Sequence, residues 1–225
     1  MKKLIDKKRG NFYWINKAPF ASVTQILKAI DKPALRYWFG KEVYYAMVKN
    51  PTLGEKEALS APYKTSGKAR ERGKTIHSVV EAYKSSKTVI ETIPEEFKGY
   101  VKAFYGWIEG EKIKIEEREK TVVSKKHNYA GTLDLLVLKD KSRWIIDVKT
   151  GKDIYPEAFL QLSAYKHALE EDTEINVDRI GVLLLQENGK HKFAEGEDNF
   201  EVFLAIKKLW EFLNKDICKK VGYAI

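Results

Sequence analysis

The sequence predicts an α/β fold in which helices come first and a sheet follows. Apolar residues recur at helical spacing in the first half of the chain and alternate, or form short apolar runs, in the second half. An amphipathic helix also separates two of the predicted strands, and such a helix is the usual connection within an α/β core. We therefore expect an α/β core preceded by a basic helical lobe.

Helices dominate the predicted lobe and the start of the core. Pro33 and the segment Asn50-Pro51-Thr52-Leu53-Gly54 end two helices, and a polar connection is expected from there to about Ser66. We place the lobe at residues 1–66 and the core at residues 67–225. The predicted elements are a strand over residues 12–15 and helices over residues 22–30, 34–48, 68–85 and from 94 onward.

The second half of the chain carries the predicted sheet. Lys139-Asp140-Lys141-Ser142 separates two apolar strands and predicts a hairpin connection. The predicted elements are an edge strand over residues 113–123, strands over 129–139, 142–150, 179–186 and 191–194, and helices over 156–170 and 199–214.

Composition excludes several classes of protein. Cys218 is the single cysteine, so a disulfide scaffold, a thiolate zinc site and an iron–sulfur cluster are excluded within one chain. The 27 Trp, Tyr and Phe residues argue against general disorder. No apolar run is long enough to span a membrane, and no apolar stretch follows the charges at residues 1–8. A cytoplasmic protein without a membrane segment is expected.

The positive charge is concentrated at the beginning of the chain. Residues 1–74 hold 17 Lys and Arg against 6 Asp and Glu, whereas the remaining residues hold 24 against 26. A basic front on a nearly neutral body predicts a polyanionic partner, for which nucleic acid is the leading candidate. A lysine-rich face that only confers solubility is the alternative.

Four polar features lie within the predicted helices and strands. Residues four apart share one face of a helix, and residues two apart share one face of a strand. The features are the pair His77 and Glu81, the segment Gly131-Thr132-Leu133-Asp134, the pair Asp147 and Lys149, and the pair Gln161 and Tyr165.

Two of these features suggest a metal site. Asp134 and Asp147 lie in strands rich in Leu, Ile and Val that look like hairpin neighbours, and a divalent cation would relieve the repulsion between two such carboxylates. Oxygen ligands favour Mg²⁺ or Mn²⁺, and an imidazole from His77 would shift the preference toward Mn²⁺. Lys149 beside the cation is expected to have a lowered pKa and to act on a water or a scissile phosphate.

Each feature also has an ordinary structural interpretation. The alternatives are an exposed ion pair of Asp147 with Lys149, a surface pair of His77 with Glu81, a bulge at Gly131 with Asp134 facing solvent, and a plain helix surface at Gln161 with Tyr165 in the core.

Taken in order, the four features resemble the PD-(D/E)XK nuclease superfamily. The branch they resemble contains the RecB-type nuclease domain, phage exonucleases and the mitochondrial genome-maintenance exonuclease, and residues 21–27 and 31–35 resemble the start of its phage members. The resemblance implies a restriction-endonuclease-like mixed β-sheet core flanked by helices. It also implies a metal-dependent deoxyribonuclease of a bacterial or phage-infected cell, with a role in DNA repair or recombination.

The resemblance also implies roles for individual residues. One or two Mg²⁺ or Mn²⁺ ions would be held by His77, Asp134, Asp147 and the Val148 carbonyl, with Lys149 as the catalytic lysine, Glu81 in support, and Gln161 and Tyr165 lining the site and contacting DNA. The proline of the family name is absent before Asp134, and neither the four-cysteine cluster of some relatives nor a P-loop is present.

Basic residues before the first motif are candidates for phosphate contacts. The candidates are Lys64, Lys68, Arg70, Arg72, Lys74 and, after the lysine motif, Lys152. Arg36-Tyr37-Trp38-Phe39 combines a cation with rings suited to stacking on unpaired bases. Aromatic residues at helical spacing are usually core, however, and we favour a core position for at least Trp38 or Phe39.

The predicted activity is exonucleolytic attack on single-stranded or frayed DNA ends. The alternatives are a structure-specific endonuclease, a non-catalytic DNA-binding module that keeps the fold, and a basic interaction protein without a site. Protein partners are not predicted by the sequence.

Overall fold

The computed structural model describes residues 5–9, 12–83 and 93–225, which form an eight-stranded sheet with helices on both faces. Its strands are β1 (Ile5–Arg9), β2 (Phe12–Ile15), β3 (Ala18–Ser22), β4 (Lys114–Ser124), β5 (Tyr129–Lys139), β6 (Ser142–Lys149), β7 (Arg179–Leu185) and β8 (His191–Gly196). Its helices are α1 (Val23–Ile26, extended by a 3₁₀ turn over Leu27–Ala29), α2 (Pro33–Lys49), α3 (Glu55–Glu81), α4 (Glu95–Gly110), α5 (Pro156–Asp172), α6 (Phe200–Leu213) and α7 (Lys215–Val221). The predicted α/β class is confirmed.

The sheet is mixed, as predicted. Its strand order is β1-β2-β3-β5-β6-β7-β8, and β4 pairs with β5. β3 pairs with β5 in parallel and β6 pairs with β7 in parallel, whereas the other pairs are antiparallel. The α5 helix connects β6 to β7, which confirms the predicted helical crossover between two strands of one sheet. Such a mixed sheet between helices is consistent with the restriction-endonuclease-like core that the resemblance implies.

β5 pairs with three other strands, β3, β4 and β6. Its pairing with β4 runs from Tyr129 to Leu138 and occupies one edge of the strand. The other edge pairs with β3 at Tyr129 and Ala130 and with β6 from Leu135 onward. Because a strand has two edges, β3 and β6 must share this one. Residues 131–134 therefore border an opening between β3 and β6.

Apolar side chains fill the space between the sheet and the helices on each face. On one face, Leu136, Ile145 and Val182 of the sheet pack with Leu162 of α5 and Phe203 of α6. On the other face, Leu135, Ile146 and Leu183 pack with Val80 of α3 and Phe104 of α4. In the part of the chain that the structure describes, no helix combines the length and apolarity that crossing a membrane requires.

The β5–β6 hairpin confirms the predicted connection. Asp140 and Lys141 have φ values of 49° and 68°. Positive φ at both central residues is the signature of the type I′ turn, whose twist matches that of a two-stranded ribbon. The turn places Leu135 opposite Ile146, and so sets the register of the two strands that carry Asp134 and Asp147.

Several predicted boundaries are wrong. Residues 55–66 are helical rather than a polar connection, because α3 packs against α2 and buries Ala58 and Pro62. The predicted boundary at residue 66 thus falls inside α3, while β1–β3 pair into the same sheet as the core strands. The division into lobe and core stays a prediction. Strands β1 and β3 and helix α7 were not predicted, and Lys84 and Ser85 of the predicted third helix lie outside the described residues.

Candidate active site

Asp134 lies on β5 at the opening between β3 and β6. Its side chain is buried, and its Oδ2 accepts a hydrogen bond of 2.7 Å from the backbone N–H of Val148. A backbone N–H of β6 thus donates to the Asp134 carboxylate just beyond the last residue pair of the β5–β6 ladder. Val148 is fully buried, and its predicted role as a carbonyl ligand stays a prediction.

The long helix α3 brings His77 to Asp134. The Nδ1 atom of His77 is 3.5 Å from Oδ1 of Asp134 and 3.3 Å from Oε1 of Glu119. One ligand atom from each of these three residues lies within 4.8 Å of the others. Imidazole nitrogen and carboxylate oxygens in such a group suit a divalent cation.

Glu119 was not predicted to belong to the site. On β4 it lies between Arg118, which pairs with Leu135, and Lys120, which pairs with Leu133, and so lies across from Asp134. Its φ of 43° is in the left-handed region, which residues other than glycine rarely adopt. A backbone strain of this kind marks a residue whose position the surrounding structure imposes. Glu119 belongs to an unbroken run of five charged residues, 116–120, so no sequence pattern singles it out.

Asp147 forms the second part of the site with Lys149 and Gln161. The Lys149 Nζ lies 2.8 Å from Oδ1 and 2.7 Å from Oδ2 of Asp147, and Gln161 Nε2 donates to Oδ1 at 2.8 Å. Asp147 is 1% exposed, and its Oδ2 accepts no well-aligned hydrogen bond. A buried carboxylate oxygen with spare capacity to accept is what a cation site requires.

Burial and neighbouring charges set the protonation of these groups. Burial lowers the pKa of His77, but the hydrogen bond to Glu119 and the nearby carboxylates outweigh it and raise the pKa from 6.5 to about 9. Burial and the charge of Asp147 raise the pKa of Asp134. Burial lowers the pKa of Lys149, but the two aspartates outweigh it and raise the pKa. The lowered pKa that we expect for Lys149 concerns the cation-bound state and stays a prediction.

The residues present fit the Mg²⁺ or Mn²⁺ ion that the resemblance implies. The donor set contains one imidazole and carboxylates without thiolates, the combination that these ions accept. Burial and the charge of Asp147 raise the cost of keeping Asp134 ionised, and a cation would remove that cost.

Cation binding is expected to strengthen as the pH rises from about 6 to about 9. Below pH 9 His77 carries a proton that a cation must displace, so each displaced proton changes the affinity up to about ten-fold per pH unit. Titration calorimetry with Mn²⁺ in two buffers of different ionisation enthalpy measures both affinity and proton release. A flat affinity over this range, with no proton release, would contradict the assignment of His77 as a ligand.

The close packing of Tyr165 on Gly131 explains why the segment Gly131-Thr132-Leu133-Asp134 begins with glycine. Tyr165 of α5 is buried against β5, and a Cβ atom built on Gly131 would lie 2.2 Å from its Cε1 atom. Burial and the charges of Asp134 and Asp147 raise the pKa of Tyr165, so its phenol stays protonated. Glycine is therefore required here for close packing rather than for a bulge.

Replacing Gly131 by alanine is expected to destabilise the fold by roughly 1–3 kcal/mol, because Tyr165 must leave its position. Urea unfolding measures the change. Gly106→Ala is the matched control: Gly106 is exposed within α4, no atom lies within 4 Å of its would-be Cβ, and the change should stabilise by about 0.5–1 kcal/mol. Equal stability of Gly131→Ala and wild type would refute the packing argument.

The other predicted site residues, Glu81 and the basic candidates, are not among the cluster of His77, Glu119 and Asp134. Glu81 is exposed at the last position of α3, and Glu119 rather than Glu81 contacts His77. Arg72 is half-buried, with Nε 3.4 Å from Thr150 Oγ1 and its guanidinium over the Tyr100 ring, so it joins α3 to the end of β6. The remaining basic candidates, Lys64, Lys68, Arg70, Lys74 and Lys152, are exposed.

A cavity of about 370 Å³ opens beside Lys149 and Gln161. Lys28, Lys32 and Tyr155 contribute to its wall, and the sequence predicted none of them. Lys32 is paired with Glu157 at 2.7 Å, at the start of α5. The cavity gives the Lys149 amine access from solvent.

Comparison with known proteins finds distant structural similarity. No protein-family model matches the chain, and no curated protein matches it. An alkaline exonuclease of Laribacter hongkongensis is 10% identical with a TM-score of 0.41, and the alignment covers 89% of this chain and 94% of that one. A candidate exonuclease of Eubacterium rectale is 11% identical with a TM-score of 0.31, covering 91% and 82%. Both are described as exonucleases, the class that the motifs resemble, but these likenesses are too distant to carry an argument of their own.

Proposed function

We propose that this protein is a metal-dependent deoxyribonuclease that hydrolyses DNA phosphodiester bonds. The observation that carries the proposal is the meeting of His77 and Asp134, at 3.5 Å, with the Asp147–Lys149 pair at one opening of the sheet. A structural ion pair needs neither a second buried carboxylate nor an imidazole, so the full set favours a catalytic site over a surface feature.

His77, Asp134, Asp147 and the Val148 carbonyl would hold the cation, with Glu119 as a further oxygen donor. When bound, Mg²⁺ or Mn²⁺ supplies charge that polarises the phosphate and acidifies a water. Lys149 contributes separately from the cation. Its protonated amine would donate hydrogen bonds to the negative charge that develops on the scissile phosphate.

Gln161 and Tyr165 support the two carboxylates from α5. Gln161 holds Oδ1 of Asp147 at 2.8 Å, and this contact limits how far that carboxylate can rotate. Tyr165 packs beside Gly131 and close to Asp134. Gln161 lines the cavity beside Lys149, and we include it together with Tyr165 among the residues proposed to contact the substrate.

The substrate that we propose is a single-stranded or frayed DNA end. The exposed cations Lys68, Arg70 and Lys74 precede His77 on the same helix, so a phosphate backbone that follows α3 is led to the cation site. Lys152, which follows the lysine motif, is exposed as well, and we include it among the proposed phosphate contacts.

The test is cleavage of end-labelled DNA with Mg²⁺, Mn²⁺ or EDTA. Linear single strands should be degraded with either ion and stay intact with EDTA, and a covalently closed single-stranded circle should resist. Cleavage of the circle would identify an endonuclease instead. Binding without cleavage under either ion would identify a non-catalytic DNA-binding module, and absence of both would leave an interaction protein without a site.

Neutralising Lys68, Arg70 and Lys74 to glutamine is expected to weaken single-stranded DNA binding and to lower the salt slope of log K. The slope should decrease by about 0.7 for each phosphate that these side chains neutralise in the wild-type complex. Fluorescence anisotropy at several salt concentrations, in EDTA, measures it. The control replaces Lys208, Lys219 and Lys220, which are exposed on the C-terminal helices. An unchanged slope in the first variant would place these three side chains of α3 away from DNA.

A further inference from the structure

Helix α2 exposes an unusual amount of apolar surface. It has no buried residue along its 17 positions, and α3 is the element against which it mainly packs. Monomeric proteins rarely expose large contiguous apolar surface unless it binds something. The exposed apolar side chains are Leu35, Tyr37, Tyr44, Tyr45, Met47 and Val48 of α2 and Leu59 and Tyr63 of α3.

Tyrosines and a lysine dominate one face of α2. Tyr37 is 73% exposed, Tyr44 63% and Tyr45 52%, and their spacing from Lys41 places all four residues on the same helical face. The Nζ of Lys41 lies 5.9 Å from the centre of the Tyr37 ring and 5.6 Å from that of Tyr45. A row of rings interleaved with a cation is thus presented to solvent.

The two half-buried rings of the predicted aromatic segment, Trp38 and Phe39, pack against other rings rather than facing solvent fully. Trp38 packs edge-on against Phe39, with ring centroids 5.2 Å apart, and Phe39 packs edge-on against Tyr63 of α3 at 5.4 Å. Tyr63 is itself 63% exposed. Of the segment that the sequence singled out, Tyr37 therefore faces solvent, Phe39 joins α2 to α3, and Trp38 packs against Phe39.

The charge of the helix pair indicates the chemistry of its ligand. Residues 33–74 hold nine Lys and Arg against four Asp and Glu. A surface for a second copy of this chain would face an equally basic surface and be repelled by it. Exposed rings combined with positive charge suit unpaired nucleotides, because every base offers a face for stacking and every phosphate carries a negative charge.

We propose that Tyr37, Tyr44 and Tyr45 form a stacking surface for unpaired bases of the DNA strand, outside the cation site. The proposal rests on the proposed function and adds a second, ring-based part of the substrate site. Helix α2 meets α3 at Tyr63. From Tyr63 to His77 the helix α3 rises about 21 Å, which corresponds to roughly six nucleotides at the spacing of a stacked strand. The surface therefore contributes when the strand extends beyond about six nucleotides from the cation site.

The test is binding of fluorescent oligothymidylates to the full chain in EDTA, where no cleavage is needed. Changing Tyr37 and Tyr45 together to leucine should weaken binding of a strand of about 20 nucleotides at least ten-fold and leave a strand of about four nucleotides unaffected. Changing the same residues to phenylalanine should restore binding, because the ring is kept. Phe212→Leu on α6, which is 64% exposed, is the matched control and should bind as wild type.

Two outcomes would overturn the proposal. One is unchanged long-strand binding by the leucine variant when circular dichroism shows that it is folded. The other is loss of self-association in that variant, which sedimentation would detect and which would assign the face to a second copy. Wild-type binding of the long strand without cleavage under Mg²⁺ or Mn²⁺ would count against the proposed nuclease activity alone, so the two proposals fail separately.

Discussion

Replacing Lys149 by alanine is expected to lower the rate of DNA cleavage by roughly 10²- to 10⁴-fold. The amine lies within 2.8 Å of both oxygens of Asp147, and under the proposed function it would be the donor that remains for a scissile phosphate once the carboxylates bind metal. Single-turnover cleavage of a labelled strand with saturating Mn²⁺ measures the chemical step.

The lysine variant should still bind metal and DNA. Removing the ammonium takes one positive charge away from Asp147, so Mn²⁺ affinity should stay equal or increase. Lys208→Ala removes an exposed lysine of α6 and serves as the control for general loss of charge. A Lys149→Ala enzyme that cleaves within a few-fold of the wild-type rate would show that the lysine is structural.

Replacing Asp134 by asparagine is expected to abolish cleavage without unfolding the metal-free protein. The carboxylate lies within reach of His77 and would be shared with the cation, whereas the amide oxygen of asparagine can still accept the hydrogen bond from Val148. Thermal unfolding in EDTA should therefore give a melting temperature equal to wild type or slightly higher.

The sign of this stability effect follows from the raised pKa of Asp134. The folded state binds the proton more tightly than the unfolded state, so metal-free stability falls as the pH rises from 3.8 through the raised pKa. Asparagine removes that loss and should flatten the pH dependence in this window. Asp140→Asn, in the β5–β6 turn, is the control. A large drop in the melting temperature of the Asp134 variant would contradict this account.

The β5–β6 hairpin and the β6–α5–β7 crossover could be predicted because each depends on local information. Apolar strands, a turn at residues 139–142 and an amphipathic helix suffice to order them. The meeting of Asp134 with Asp147 follows from that hairpin. The approach of His77 could be expected only from the resemblance, since nothing local brings α3 to the opening of the sheet.

The errors have identifiable physical causes. Residues 55–66 contain Pro62 and many polar side chains, which favour a loop locally, yet packing against α2 keeps them helical. Glu119 belongs to a charged run without periodicity, and its left-handed φ is imposed by the fold. Tertiary packing, which a single sequence does not reveal, decided both. The supporting role of Glu81, one turn beyond His77 at the exposed end of α3, stays a prediction.

The short pairing between β3 and β5 has a consequence for the opening beside Asp134. Two residue pairs, Ala21 with Tyr129 and Ser22 with Ala130, join the β2–β3 hairpin to the strand that carries Asp134. One side of the opening is therefore held by two residue pairs, whereas the other side is held by the longer β5–β6 ladder. Separation of these two pairs would widen the opening, so β2 and β3, which are remote from Asp134 in sequence, help to set its width.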